Sequence, residues 1–260
     1  MHFYPHDYWH YPESPSLMKR RPKKKFYVVV LVFTLIVGLI IYKAFFEPDT
    51  FKINKLKYPI SGIDISKHNG KLNWDKLKEQ DLDFVFIKAT EGKTRLDPCY
   101  HENIKNAKRI KVKVGAYHFF KFNRDGAEQA RNFLSRVNIY NLNFAPILDI
   151  EESGNYTNRN NPQLVIREIR DFISYVEARS SRKVIIYTNG HEYNKYIRNN
   201  FNRNPLWICS LDEEPPIDRE WTFWQYAHKG EMSGIKGWVD LNTFNGGRGD
   251  WNNFINAGAR

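Results

Sequence analysis

The residues best placed for chemistry are two carboxyl groups two positions apart, Asp149 and Glu151, closing the apolar run PILDIE at 146–151. If that run is a β-strand, positions i and i+2 project to the same side, with Cα atoms about 6–7 Å apart. Carboxyl groups so placed raise each other's pKa, and the more desolvated one keeps its proton near neutrality. Glycosidic cleavage uses such a pair. One carboxylic acid protonates the leaving oxygen, and one carboxylate stabilises the cationic centre or an attacking group. Glu151, with the longer side chain at the strand end, takes the acid's part, and Asp149 that of the electrostatic or orienting partner. Asp64 in GIDIS, Glu91 after FIKAT and Asp240 in WVDLN also fall at or near the ends of apolar runs. Burying unpaired charge is costly, so carboxylates that end several strands point to a shared cation, a metal or a proton-transfer task. A lone D-x-E at a strand end is as a rule solvated or salt-bridged. Its company with Asp64 and Asp240 on other strands is what turns the balance toward catalysis. No histidine stands at ligand spacing within the cluster, and His68 and His118 read as supporting or packing residues. No metal site is expected.

Elements must bring these residues together. Apolar runs predict strands at Ile60–Ser66, Phe84–Ala89, Val112–Phe119, Ala145–Ile150, Val184–Thr188, Leu206–Ser210, Thr222–Tyr226 and Val239–Leu241. Helical spacing falls between them at Trp74–Gln80, Tyr100–Lys108, Gly126–Val137 and Pro162–Arg179. In the last of these, Leu164, Ile166, Ile169, Ile173 and Val176 fall largely on one face, and Pro162 suits a first helical turn. Strand–helix alternation argues for a parallel sheet with covering helices. Eight strands fit an α/β barrel, with helices well formed in its first half and thinning after Thr188. In such barrels the active site gathers at the C-terminal ends of the strands.

The first fifty residues are of another kind. Phe26 to Tyr42 carries no charge, and Ala44, Phe45 and Phe46 extend it past Lys43. At ~1.5 Å per residue this crosses a hydrocarbon layer of ~30 Å. Lys19, Arg20, Arg21, Lys23, Lys24 and Lys25 precede it, so the positive-inside rule keeps the N-terminus cytoplasmic and the C-terminal domain outside. A cleaved signal peptide would have a shorter apolar region and a small-x-small site, which is missing here. The division expected is a cytoplasmic tail at 1–25, a transmembrane anchor at 26–46 in the lipid bilayer, a linker at 47–58 and a globular domain at 59–260. The tail's His2, His6 and His10 read as part of a disordered segment.

The chain carries 40 Lys and Arg against 29 Asp and Glu, a net charge of +11. That surplus suits an anionic polymer such as a cell wall, a membrane surface or nucleic acid. The basic run at 19–25 is accounted for as a topology signal, so nucleic acid is not an expected partner. Aromatic residues make up 15%, which serves a large core first and sugar stacking second. The two cysteines, Cys99 and Cys209, show no zinc-ligand spacing; two free buried thiols are the favoured reading, and one disulfide stays open if the domain is exported.

Taken in order, the segments GIDIS (62–66), DFVFIKATEG (83–92), GAYHFF (115–120), PILDIE (146–151), IIYTNG (185–190), LWI (206–208), FWQYAHKGEMSGIKG (223–237) and VDLNTF (239–244) resemble glycoside hydrolase family 25, the lysozymes that cut the β-1,4 bond after N-acetylmuramic acid. The resemblance runs from about Gly62 to Asn245. It implies a flattened TIM-like barrel of five βα units followed by three β-strands, and no cofactor. It implies Asp149 and Glu151 as the catalytic pair, with Asp64 and Asp240 completing an acidic pocket. Tyr117, Tyr187, Trp224 and Gln225 match positions around the sugar site. Lys88 and Glu91 match too, as an ion pair or as substrate contacts. The implied partner is the glycan strand of peptidoglycan. The i, i+2 spacing leaves direct carboxylate attack and a water-mediated route both open, and the preferred route has the substrate's own 2-acetamido group attack while Asp149 holds it. One departure stands out. Family members follow the L-W-I strand with small residues and a tyrosine, where this chain has Cys209 and Leu211, which alters one wall of the groove. Two other readings differ in kind: a catalytically silent wall-binding module, and a chitinase-like enzyme. The second lacks its longer DxxDxDxE signature here.

Overall fold

A computed structural model of the chain describes residues 24–46, 51–155 and 161–257. The expected tail up to residue 23, with its histidines and four of its six flanking cations, and the first part of the expected linker, 47–50, lie outside the described residues. The chain divides into two units, 1–47 and 48–260. In the first, helix α1 (Lys24–Phe46) starts two residues before the expected span and has an apolar stretch, Lys24–Tyr42, long and apolar enough to cross a membrane. Its 23 residues give a rod of about 34 Å.

The second unit is a barrel. Its elements run β1 (Ser61–Ile65), α2 (Trp74–Lys78), β2 (Phe84–Glu91), β3 (Arg95–Leu96), α3 (Tyr100–Arg109), β4 (Lys113–Phe119), α4 (Gly126–Arg136), β5 (Ile147–Asp149) and α5 (Pro162–Ser180). They continue with β6 (Ile185–Asn189), α6 (Gly190–Glu192) leading into a π-helix (Tyr193–Ile197), β7 (Leu206–Cys209), β8 (Phe223–Gly230), β9 (Val239–Phe244) and α7 (Arg248–Asn256). The sheet order β1-β9-β8-β7-β6-β5-β4-β2 closes through a β1–β2 pairing. Pairings from β1 through β2 and round to β8 are parallel, whereas β9 runs antiparallel to both β8 and β1. Five βα units followed by three strands is therefore the observed plan, and all eight expected strands are present. Strand–helix alternation says nothing of β9's direction. With no helix between β8 and β9, the chain returns through a hairpin-like connection.

Alternation along the strands separates two layers. Outward residues such as Ile63, Val85, Ile87, Val114, Leu148 and Ile186 pack against the helices. Inward residues Phe84, Phe86, Phe144, Phe223 and Phe244 fill the lower barrel, and Trp251 of α7 closes that end, its ring 5.5 Å from Phe84 and 5.3 Å from Phe244. Room for these rings is made by glycine. A Cβ on Gly62 would come within 2.2 Å of the Phe84 ring, and one on Gly115 within 2.7 Å of Phe86. The helix α7 was not expected from the sequence: Gly249 and the three asparagines Asn252, Asn253 and Asn256 are poor helix formers, and the burial of Trp251 is what holds it.

Local signals set the helices over the sheet. Asp125 caps α4 by accepting the Glu128 N–H at 2.7 Å, and Asn161 caps α5 from the residue before Pro162. With those helices fixed, the C-terminal ends of the parallel strands open at one mouth.

Candidate active site

Above the aromatic floor the inward positions turn polar. Asp64 of β1 is buried, and its Oδ2 accepts hydrogen bonds from Gln225 Nε2 and Asn242 Nδ2, each at 2.8 Å. Gln225 Oε1 accepts from the Tyr187 hydroxyl at 2.7 Å, and Asn242 Oδ1 from Trp207 Nε1 at 2.8 Å. Each amide is fixed by its donor, so both NH2 groups must face Asp64. Burial pushes the Asp64 carboxyl well above the usual range, and the charge of Asp240 adds to this; the two amides pull the other way. Asp240 stands directly opposite Asp64 in the β1–β9 register.

Asp149 ends β5, between Phe119 of β4 and Tyr187 of β6 in register. Its carbonyl accepts the Phe120 N–H at 3.0 Å, and the Ile150 N–H is held by the Tyr187 carbonyl at 2.9 Å. The side chain is buried, and Oδ1 has no hydrogen-bond partner among the described residues. A buried acceptor left so is costly unless something else binds there. Burial raises this carboxyl well above its ordinary value, as does the charge of Glu151, while Lys88 opposes the shift. Glu151, two residues on and less buried, is raised to about 7, first by burial and then by Glu192, with Lys88 and His228 opposing and Asp240 adding to it. An acid with that value holds its proton near neutrality and can part with it.

The neighbouring Glu152 has a different setting. Its carboxylate pairs with Lys195 at 2.6 Å and accepts from the Tyr196 hydroxyl at 2.6 Å. Those contacts, after the opposing effect of burial, hold it below the usual range. Of the two adjacent glutamates, Glu151 has no such clamp among the described residues, and its carboxyl is raised where that of Glu152 is lowered.

Lys88 of β2 reaches the site with its ammonium 3.0 Å from Glu91 and 4.3 Å from the Phe119 ring centroid. Glu91 also pairs with Arg95 at 3.0 Å and Lys121 at 3.5 Å. Burial works against its charge, but these three cations keep its carboxyl below the ordinary value. Glu91 is thus the anchor of an ionic cluster at the rim, and Lys88 is the member of it whose charge acts on both Asp149 and Glu151. Tyr117 projects into the barrel beside the acids, its phenol pushed well up by burial and then by the charge of Asp64. It stays protonated.

Trp224 is not brought to this mouth. It points outward from β8, with its ring against Phe51, Tyr58 and Trp221 and its Nε1 donating to the Ser210 carbonyl at 2.7 Å. Gln225, its neighbour in sequence, faces inward, and strand alternation allows only one of the two to do so. His118 likewise faces out, between Thr90 at 2.7 Å and Gln129 at 3.2 Å, with burial lowering its pKa to about 3. It is a packing residue. His68 is exposed. Both cysteines are free thiols, though half-buried rather than buried as expected.

Three side chains at the mouth were not singled out from the sequence. Asn242 is two residues past Asp240, so period-two alternation alone puts it on the inner face. Glu192, buried on α6, accepts the Glu152 N–H at 3.0 Å; no pattern in the loop after YTNG marks it. His228 of β8 holds Asp240 Oδ1 through Nδ1 at 3.0 Å, and Asp240, followed by Cys209, raises its pKa to about 11. Among the described residues no group of three or more ligating side chains is arranged to hold a metal ion.

Comparison with known proteins agrees with this geometry. Residues 63–235 match the model of the glycosyl hydrolases family 25. The chain is similar to lysozyme M1 of Streptomyces globisporus, 34% identical over 201 residues that cover 72% of this chain and 68% of that protein. It is also similar to the Escherichia coli O6:H1 protein YegX, 33% identical over 196 residues covering 73% and 71% of the two chains. A family 25 glycosyl hydrolase from Bacillus anthracis superposes with a TM-score of 0.72 at 31% identity, covering 80% of this chain and 97% of that one.

Proposed function

The chain belongs to glycosyl hydrolase family 25, and we propose that it is a muramidase that cleaves the β-1,4 bond between N-acetylmuramic acid and N-acetylglucosamine in peptidoglycan. The observation that carries this reading is the convergence of four carboxyl groups at one mouth, with burial raising Asp64, Asp149 and Glu151. The buried pair Asp149 and Glu151 keeps a proton near neutrality, and the outer member, Glu151, delivers it to the glycosidic oxygen. Asp149 is then the carboxylate facing the developing positive charge. Its unpartnered Oδ1 is an acceptor for the N–H of the sugar's 2-acetamido group, whose carbonyl oxygen attacks the anomeric carbon. This is the substrate-assisted route open to glycosidases whose own carboxylate does not attack.

The other side chains divide the remaining work. The Tyr187–Gln225–Asp64 and Trp207–Asn242–Asp64 chains of hydrogen bonds hold the floor of the sugar site rigid. Lys88 limits how far the acids can rise, so that Glu151 can still ionise when it must later act as a base toward water. Beside Glu91 a groove of about 600 Å³, lined in part by Lys93, Lys121, Arg124 and Asn155, offers room and positive charge for substrate beyond the cleaved bond. α1 anchors the protein in a bilayer, with the barrel outside the cytoplasm.

The test uses the full-length chain in detergent on purified cell walls, compared with Glu151→Gln. Turbidity clearing should fall by about 10²–10⁴-fold in the variant, and the wild-type fragments should carry muramic acid at their reducing ends. Equal clearing by the two proteins removes Glu151 from the acid's role. Binding without clearing by the wild type would make the protein a silent wall-binding module, and N-acetylglucosamine at the new reducing ends would make it a different glycosidase.

A further inference from the structure

Cys209 ends β7 at the barrel mouth, in register with Gln225 of β8 and Asn189 of β6. Its Sγ lies 3.7 Å from His228 Nε2, and His228 Nδ1 lies 3.0 Å from Asp240 Oδ1. A carboxylate orients the imidazole through one nitrogen, and the other nitrogen faces a thiol. Held by Asp240, the imidazole keeps its proton and presents positive charge to the sulfur, a setting that favours a nucleophilic sulfur. The sulfur is within reach of solvent: Cys209 is half-buried, and the His228 and Asp240 side chains are 44% and 35% exposed. Cys99 is the internal contrast. It has no imidazole partner among the described residues, and burial followed by the charges of Asp97 and Glu102 pushes its thiol up.

We propose that Cys209 is a reactive thiol that exchanges with low-molecular-weight disulfides, and that the resulting adduct blocks the glycan site. The thiol's proton is released to solvent as the sulfur, facing the protonated imidazole, attacks one sulfur of the incoming disulfide. A new S–S bond forms, the old one breaks, and the departing thiolate leaves with the bonding pair and takes up a proton from solvent. Cys209 is oxidised to a mixed disulfide, and half of the small disulfide is reduced to a thiol. The adduct stands beside Gln225 and Asp240 and occludes the space over Asp64. A second thiol displaces it and reopens the site. The blocking half of this proposal rests on the mouth being the glycan site, whereas the reactivity of the thiol does not.

The experiment has two readouts on the full-length chain in detergent at pH 7. In the first, iodoacetamide labels the two cysteines and peptide mass spectrometry follows each rate. Cys209 should react about tenfold faster than Cys99, and His228→Gln should remove that advantage. Equal rates, or an advantage that survives His228→Gln, overturn the proposal. In the second, glutathione disulfide is added before turbidity clearing. Clearing should be lost and return with dithiothreitol, whereas in Cys209→Ala the treatment should leave clearing at that variant's own untreated level. Full clearing by protein that mass spectrometry shows to be glutathionylated at Cys209 overturns the blocking. No clearing by the untreated, reduced protein counts against the muramidase reading and leaves the labelling rates to decide the thiol.

Discussion

Glu192 accepts the backbone N–H of Glu152 through Oε1 at 3.0 Å, while its Oε2 is buried without a hydrogen-bond partner among the described residues. A carboxyl group is thereby fixed one residue beyond the proposed acid, and it is the largest influence on Glu151 after burial. Glu192→Gln keeps an oxygen for the Glu152 N–H and removes the charge. Glu151 then holds its proton less tightly, so activity should begin to fall at a lower pH than in the wild type. A pH profile of kcat/KM from clearing assays checks this, and an alkaline limb that stays in place would mean that Glu192 is only a backbone anchor.

Glu151 should destabilise the fold that carries it. Its folded pKa of about 7 lies above the ordinary 4.5, so the native state binds more protons between those values. The sign follows: this contribution is harmless below about pH 4, grows as pH rises, and is complete above about pH 7. Glu151→Gln should therefore raise the unfolding free energy by up to about 3 kcal/mol at pH 8 and by little at pH 4. Denaturant titrations at the two pH values measure it. A gain of equal size at both would trace the effect to packing instead of charge.

Trp224 and Gln225 should separate cleanly. Trp224→Phe loses the hydrogen bond to Ser210 and part of an outward aromatic cluster, for a stability cost of about 1–3 kcal/mol, with KM for the wall unchanged. Gln225→Leu leaves Asp64 and the Tyr187 hydroxyl each short of a partner at the site, and should lower kcat at least tenfold. A raised KM in Trp224→Phe with unchanged stability would return that ring to the sugar.

Gly62 should tolerate no side chain. A Cβ there would stand 2.2 Å from the Phe84 ring in the packed lower barrel, so Gly62→Ala should cost about 1–3 kcal/mol. Phe84→Leu in the same chain should recover part of that loss. Thermal melts of the single and double variants decide whether the two positions are coupled.

Much of this protein is written locally. A short apolar run marks each of the eight barrel strands, and the i, i+2 spacing predicts one side for Asp149, where β5 ends, and Glu151 just past it. Pro162 and the spacing of Ile166, Ile169 and Ile173 mark α5, and the charge-free run after Lys25 marks the apolar helix. These signals survive in sequence because each depends on neighbours a few residues away. Closure of the barrel decided the rest. It set Asp240 opposite Asp64, turned Trp224 away from the mouth while Gln225 faced in, and brought Glu192 to Glu151. It also set Cys209 of β7 beside His228 of β8. Burial and the distances between charges are properties of the closed barrel, and they decide which carboxyl group keeps its proton; no stretch of sequence contains them.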